Sequence, residues 1–120
     1  MDGVIFEFKR GRTYSRDFIL TNFNKNIDKI LFTVCENEND KNYKLRKTYG
    51  NGISLVDIKI DEHSNEIKTF NILIEATDTD KMRVETEYPF DVVIYSGTEK
   101  IPIMNGILLL KGTSTKTCNE

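Results

Sequence analysis

Apolar residues at every second position dominate the stretch from Thr69 to Gly112, which reads TFNILIEATDTDKMRVETEYPFDVVIYSGTEKIPIMNGILLLKG. A period of two puts successive side chains on opposite faces of a β-strand. Short polar segments separate the apolar runs, and one of these segments is Asn105-Gly106. We therefore predict four strands joined as a meander. The four runs begin at Phe70, Tyr88, Ile101 and Ile107.

The polar segment from Ala76 to Met82 lies between the first two runs and is long enough for one helical turn. Its Asp78-Thr79-Asp80 sequence resembles the start of a calcium loop, but the fifth position would be Met82, which offers no oxygen ligand. A structural reading is favoured: Thr77 or Asp78 caps the first amides of a short turn, and Met82 packs onto the core.

The preceding half of the chain also alternates. Tyr43 to Tyr49 fits an amphipathic strand or a helical turn, and Gly50-Asn51-Gly52 predicts a type I′ hairpin. The chain as a whole is predicted to be all-β, with about eight strands and one or two helical turns, which is typical of a sandwich or small barrel. The other strands predicted here are 3–8, 13–21, 27–34 and 53–60.

Length and charge restrict the class of protein. The chain has 120 residues and a formal net charge of −2, so we expect one domain over residues 1–112 and a flexible tail over 113–120. This charge gives no field that would attract nucleic acid. No apolar run approaches the ~18 residues that span a bilayer, and no signal peptide opens the chain, so neither a membrane nor export is expected.

No arrangement of residues points strongly to catalysis or a cofactor. His63 is the single histidine, and a nucleophilic pair with Cys35 would need a thiol that its apolar run predicts to be buried. Asp91 could be catalytic, but its position predicts the solvent side of a strand. Paired carboxylates for glycoside hydrolysis are an open alternative, but the chain has no tryptophan on which a sugar ring could stack. The chain is therefore predicted not to be an enzyme and to hold no cofactor.

The sequence evidence for a metal or anion site is also weak. Glu36, Glu38 and Asp40 alternate in a charged loop, but no glycine there makes the sharp turn of a calcium site. The turn Lys9-Arg10-Gly11-Arg12 could bind a phosphate or a partner, although a solvated turn is favoured. A disulfide between Cys35 and Cys118 is disfavoured against a buried thiol and a tail thiol.

Several short motifs follow one another along the chain in an order that is typical of a known family. They are Phe32-Thr33-Val34, Lys44 to Lys47, Gly50 to Gly52, Asp78-Thr79, Tyr88 to Val92, and the strand from Gly106 onward. With this order the chain resembles the N-terminal domain of phage baseplate upper proteins and their small prophage-encoded relatives. The family usually has a glycine or proline just before the tyrosine, whereas this chain has Glu85-Thr86-Glu87, which predicts a longer turn.

The resemblance implies an immunoglobulin-like antiparallel β-sandwich in a phage tail or baseplate. It marks Asp78, Thr79, Tyr88, Asp91 and Gly106 as fold positions rather than reactive groups. A chain of this kind would act as an assembly or adaptor module that contacts other tail or baseplate proteins and itself. It would be found in the virion, and in the bacterial cytoplasm during assembly.

One alternative is a carbohydrate-binding module that recognises a polysaccharide of the host surface. Tyr43, Tyr49 and Tyr95 are its candidate stacking residues.

Overall fold

The computed structural model describes residues 3–37 and 42–112, and these ranges contain eight strands and one short 3-10 helix. The all-β prediction is confirmed, and Tyr43–Tyr49 is a strand rather than a helical turn. Glu38, Asp40, Cys118 and the predicted tail 113–120 lie outside the described residues. The elements are β1 (Val4–Lys9), β2 (Tyr14–Thr21), β3 (Lys29–Cys35), β4 (Tyr43–Tyr49), β5 (Gly52–Ile60), β6 (Glu66–Ile74), the 3-10 helix (Ala76–Thr79), β7 (Thr86–Ser96) and β8 (Glu99–Lys111).

The strands form one mixed sheet in the order β1-β8-β7-β3-β4-β5-β6-β2, and this sheet is nearly closed into a barrel. The expectation of a purely antiparallel arrangement is wrong, because β1 runs parallel to β8 and β4 runs parallel to β5. Side chains draw the two end strands together, since the Tyr14 ring of β2 stacks on Phe8 of β1 with centroids 4.4 Å apart. The Arg16 guanidinium of β2 also lies 5.2 Å from the centre of the Phe6 ring.

The core lies inside this curved sheet and contains the alternating residues that the sequence predicted. Phe70 and Ile72 of β6 and Phe90 and Val92 of β7 are all at most 4% exposed. Phe6 of β1 packs among them, with its ring centroid 4.4 Å from that of Phe90. Burial of such side chains is the main favourable contribution to folding. The strands with the clearest alternation therefore contribute residues to one continuous core.

The predicted four-strand meander is wrong in two respects. Ile101 and Ile107 lie on one continuous strand, the 13-residue β8, and Asn105-Gly106 makes no turn within it. In addition, β6 pairs with β5 and β2, whereas β7 pairs with β3 and β8. Pairing along the whole of β7 keeps β8 extended through Asn105-Gly106, because Phe90 and Asp91 stand opposite these two residues. Long-range pairing thus overrides the local turn preference.

The predicted type I′ hairpin at Gly50-Asn51-Gly52 is also wrong. Thr48 and Asn51 exchange two backbone hydrogen bonds, of 3.0 and 2.8 Å, and the chain then continues in the same direction into β5. Gly50 and Gly52 have φ angles of 93° and 100°, a conformation that glycine adopts at little cost. The glycines therefore form a small loop that displaces the chain sideways, and β4 pairs with β5 through two residue pairs in the described structure.

The molecule is elongated. Its radius of gyration is 16.0 Å and its extents are 54 × 34 × 24 Å, compared with about 14 Å for the radius of gyration of a compact domain of this length. Beyond Ile53, β5 continues to Ile60 with β6 as its neighbour. The outer part of the β5–β6 hairpin carries exposed apolar residues at Val56, Ile58 and Ile60.

At Gly106 the backbone of β1 lies very close to β8. This glycine stands opposite Val4 in the parallel pairing, and a Cβ atom added to Gly106 would overlap the carbonyl group of Val4. The obstacle is backbone, which cannot move aside as a flexible side chain would. Glycine is required here by the neighbouring strand and not by a turn.

We predict that Gly106→Ala lowers the free energy of unfolding by about 2 kcal/mol or more, because the new methyl group must push β1 away from β8. Urea denaturation followed by circular dichroism measures this change. Gly112→Ala is the matched control, since nothing lies within 4 Å of a Cβ added there. Equal stability of the two variants would contradict the close approach of β1.

Candidate functional site

The five residues marked by the sequence fall in two separate places. Asp78, Thr79 and Tyr88 belong to the segment that leads from the 3-10 helix into β7. Asp91 and Gly106 lie beside each other on the paired strands β7 and β8, since Phe90 is the direct partner of Gly106. The structure thus brings these residues together as two groups and not as one site.

The 3-10 helix packs against the turn between β1 and β2. Thr79 is fully buried, and its hydroxyl oxygen accepts a hydrogen bond of 3.0 Å from the backbone N–H of Gly11. Arg10 donates from Nη1 to the carbonyl oxygen of Met82 at 3.1 Å. The cationic turn predicted as a solvated or phosphate-binding loop is therefore held, through Arg10 and Gly11, against this helix. Met82 is 5% exposed, as predicted for a residue packed onto the core.

Asp78 has a structural role as well. Its carboxylate accepts a hydrogen bond of 2.7 Å from the backbone N–H of Glu75, the residue that precedes the helix. The same oxygen lies 2.7 Å from Nζ of Lys47, whose side chain is 11% exposed. The prediction that Thr77 or Asp78 is the cap is therefore wrong: Glu75 is the N-cap, and Asp78 is the N3 residue of a capping box. Lys47 of β4 places a positive charge beside the Asp78 carboxylate.

Tyr88 connects the core to a surface ion cluster. Its ring is 1% exposed, and its hydroxyl accepts a hydrogen bond of 2.8 Å from the backbone N–H of Arg83. The Arg83 guanidinium pairs with the Glu36 carboxylate, which lies 3.2 Å from Nζ of Lys44. The hydrogen bond from Arg83 is the largest cause that lowers the pKa of Glu36, and the same bond raises the pKa of Arg83.

The segment just before Tyr88 departs from the family pattern in sequence, and Glu85 supplies the turn. Glu85 has a φ angle of 54°, in the left-handed region where glycine is usual, and β7 begins at the next residue. Its backbone N–H donates to the carbonyl oxygen of Leu110 at 2.6 Å, and its carboxylate lies 2.9 Å from Nζ of Lys111. The hydrogen bond from Lys111 lowers the pKa of Glu85. These contacts to β8 hold a non-glycine residue in this conformation.

Asp91 faces solvent on the outer side of the sheet, as predicted, and lines a shallow groove of about 570 Å³. Residues of β3, β7 and β8, together with Gly3 just before β1, form this groove. A second hollow of about 180 Å³ adjoins it towards β4. Thr33, Cys35 and Asp91 line both depressions, so they form one continuous outer surface. We call this surface, with Tyr43, Arg46, Tyr95 and Lys100, the outer face.

The second hollow of the outer face combines aromatic rings with charges of both signs. The Arg46 guanidinium lies 4.3 Å from the centre of the Tyr43 ring and donates from Nε to the Thr33 hydroxyl at 3.2 Å. Nζ of Lys29 lies 4.8 Å from the centre of the Tyr95 ring. Two of the three tyrosines predicted for sugar stacking therefore share one hollow. The third, Tyr49, packs edge-on against Phe70 with centroids 5.8 Å apart.

The other candidates for chemistry lie apart from one another. Cys35 lines the outer face, whereas His63 lies in the turn between β5 and β6, where its backbone N–H donates to Asp61 at 2.8 Å. Within residues 3–37 and 42–112, no three His, Cys, Asp or Glu side chains are grouped so that they could hold a metal ion. In the same ranges, no helix has the length and apolar character needed to cross a membrane.

In comparisons with known proteins, no protein-family model matches the chain and no curated protein matches it. The resemblance to baseplate proteins therefore remains a prediction from sequence motifs.

Sequence reasoning did not identify Thr33, Arg46 and Lys100 as parts of a shared surface. Each was visible as an outward position on its own strand, opposite in parity to buried neighbours such as Val34. Their proximity depends on β3 pairing with both β4 and β7, and a pairing order of this kind is not encoded in the period of one strand. Separate outward positions could be predicted, but not the surface that they form.

We predict that Thr79→Val lowers the free energy of unfolding by about 1–3 kcal/mol, because it leaves the Gly11 N–H without its acceptor at an interface that excludes much of the solvent. Chemical denaturation measures the loss. Thr77→Val in the same helix is the matched control, since Thr77 is exposed. If both variants unfold at the same denaturant concentration, the contact between the β1–β2 turn and the helix does not stabilise the fold.

Proposed function

We propose that this chain is a non-enzymatic structural protein of a phage or prophage tail or baseplate. It acts as an assembly or adaptor module through contacts with other tail proteins and with itself. The observation that carries the proposal is that the residues marked by the family motifs are fold positions. Thr79 and Tyr88 bury hydrogen-bonded hydroxyls, and Gly106 admits the neighbouring strand.

The sheet order supports the immunoglobulin-like sandwich that the resemblance implies. Strands β1-β8-β7-β3-β4 form one part and β5-β6-β2 form the other, and two residue pairs at Thr48–Gly52 and Tyr49–Ile53 join them. Inward side chains of both parts share one core cluster. Because only two residue pairs join the two parts, the arrangement resembles two sheets packed face to face, as in a β-sandwich.

The outer face has the composition of a protein-binding surface. Tyrosine and arginine are enriched in the centres of protein interfaces, and Tyr43, Arg46 and Tyr95 lie together here. Asp91 and Lys100 add opposite charges that can orient a partner. In a protein that assembles with others, such a surface would select the neighbour and its orientation.

A carbohydrate-binding module is the second candidate, and the shared hollow of Tyr43 and Tyr95 favours it. Sugar rings stack on aromatic faces, and Arg46 and Lys100 could donate hydrogen bonds to hydroxyl or carboxylate groups of a polysaccharide. Arg46 and Lys29, however, already lie over these two rings. A sugar would have to displace or share these contacts, so this candidate ranks second.

The test is incorporation into particles. We predict that purified particles from an induced prophage that encodes this chain contain it, as detected by mass spectrometry. Asp91→Lys reverses a charge at the centre of the outer face and is expected to reduce incorporation, while the purified variant keeps the wild-type unfolding midpoint. Asp17→Lys, an exposed position on β2, is the matched control and is expected to be incorporated normally.

Consistent absence of the wild-type chain from particles would contradict the proposal. A glycan array separates the two candidates: the structural role predicts no specific binder. Binding of a polysaccharide that is lost in Tyr95→Ala would favour the carbohydrate-binding module instead.

A further inference from the structure

Strand β5 has an open edge over most of its length. Its pairing with β4 ends at Ile53, whereas its pairing with β6 continues to Ile60. Within the described residues, the stretch from Ser54 to Ile60 therefore has a strand on one side and none on the other. An edge of this kind offers backbone N–H and C=O groups to a further strand.

The open edge is also apolar. Val56, Ile58 and Ile60 are 54%, 53% and 63% exposed, and they alternate with the charged residues Asp57 and Lys59. Exposed isoleucine on an extended edge strand is usual where another chain covers it. This exposure shows that the rest of the described chain leaves these three side chains largely uncovered.

The hydrogen-bond pattern shows which residues point towards the open edge. The N–H of Asp61 donates to the carbonyl oxygen of Asn65 at 2.9 Å. Hydrogen-bonded and non-hydrogen-bonded pairs alternate along antiparallel strands, so Lys59 is hydrogen-bonded to β6 and Ile58 is not. The N–H and C=O groups of Ile58 therefore point away from β6, towards the open edge.

We propose that a second copy of this chain pairs with this edge, with the two β5 strands antiparallel about a two-fold axis at Ile58. In this register, Ile58 of one copy faces Ile58 of the other as a hydrogen-bonded pair. Asp57 of each copy then faces Lys59 of the other copy. Val56 lies at the irregularity in the pairing of β5 with β6, beyond these pairs. Isologous pairing of this kind gives a closed dimer.

The strand's own charges select this register and this partner. An axis at Asp57 or at Lys59 would place like charges directly opposite each other, which is destabilising. An axis at Ile60 would place Asp61 opposite Lys59 of the other copy. The Asp61 carboxylate, however, already accepts hydrogen bonds from the N–H groups of His63 and Asn65. With the axis at Ile58, the opposite charges occupy the non-hydrogen-bonded pairs, where side chains approach most closely.

Such pairing would join β2-β6-β5 of the two copies into one continuous sheet and would cover the exposed isoleucines of both. The inference adds a specific self-contact to the proposed assembly role but does not depend on it. Failure of the chain to enter particles would leave a solution dimer unaffected.

Sedimentation velocity of the full chain over a range of concentrations tests the proposal. We expect a dimer at high micromolar concentration. Asp57→Lys and Lys59→Asp are each expected to raise the dimer dissociation constant about tenfold or more, because each creates two like-charge pairs. The double variant Asp57→Lys with Lys59→Asp restores opposite charges and is expected to restore the dimer. Asp17→Lys, on the outer side of β2, serves as control.

Disulfide trapping tests the register in a background in which Cys35 and Cys118 are replaced by serine. A mixture of the Asp57→Cys and Lys59→Cys chains is expected to form a linked heterodimer, since Cα atoms of a non-hydrogen-bonded pair lie about 4.5 Å apart. Each chain on its own is expected to stay unlinked. Three results would overturn the proposal: a monomer at all concentrations, a dimer dissociation constant that the charge reversals leave unchanged, or a disulfide between two Asp57→Cys chains.

Discussion

The parallel pairing of β1 with β8 is the contact on which the rest of the structure depends. It joins the first strand to the last and places Phe6 against Phe90 and Phe32, in the middle of the core. It requires a residue without a side chain at Gly106. The pairing continues into the β1–β2 turn, where the Arg10 N–H donates to the Lys111 carbonyl oxygen at 3.0 Å. In this turn Arg10 and Gly11 are hydrogen-bonded to Met82 and Thr79 at the 3-10 helix. The close approach of β1 to β8 therefore accompanies both the burial of Phe6 and the contact of the β1–β2 turn with the helix.

In this arrangement the conspicuous polar residues Asp78, Thr79 and Tyr88 have structural roles. Asp78 is neutralised by Lys47 and bonded to the backbone, and Thr79 and Tyr88 each accept a hydrogen bond from a backbone N–H. Buried polar groups must be satisfied in this way, or they destabilise the fold. These polar groups are bonded within the chain, and the partner contacts proposed above use two other surfaces, the outer face and the open edge of β5.

The sequence pattern predicted the positions of the strands well, but it predicted poorly which strands pair with each other. Alternation at Phe70, Phe90 and Val92 identified buried positions because the period of two is a local property. The segments Asn105-Gly106 and Gly50-Asn51-Gly52 have the composition of reversing turns, but neither reverses the direction of the chain. In one, β7 holds Asn105-Gly106 extended, and in the other the glycines shift the chain from β4 to β5. Such outcomes are decided by pairing partners far along the chain, which no local pattern specifies. For the same reason, Asp91 was correctly placed on the solvent side, while its neighbours Arg46 and Lys100 were not foreseen.

Amide hydrogen exchange, measured by NMR on the isotopically labelled chain, tests the central pairing most directly. If β1 is fixed against β8, those amides of Val4–Lys9 that face β8 should exchange as slowly as the paired amides of β7. Exchange of every β1 amide at the rate of an unstructured peptide, with β7 still protected, would contradict this account. In that case Phe6 would not be fixed in the core, and no strand would lie against Gly106.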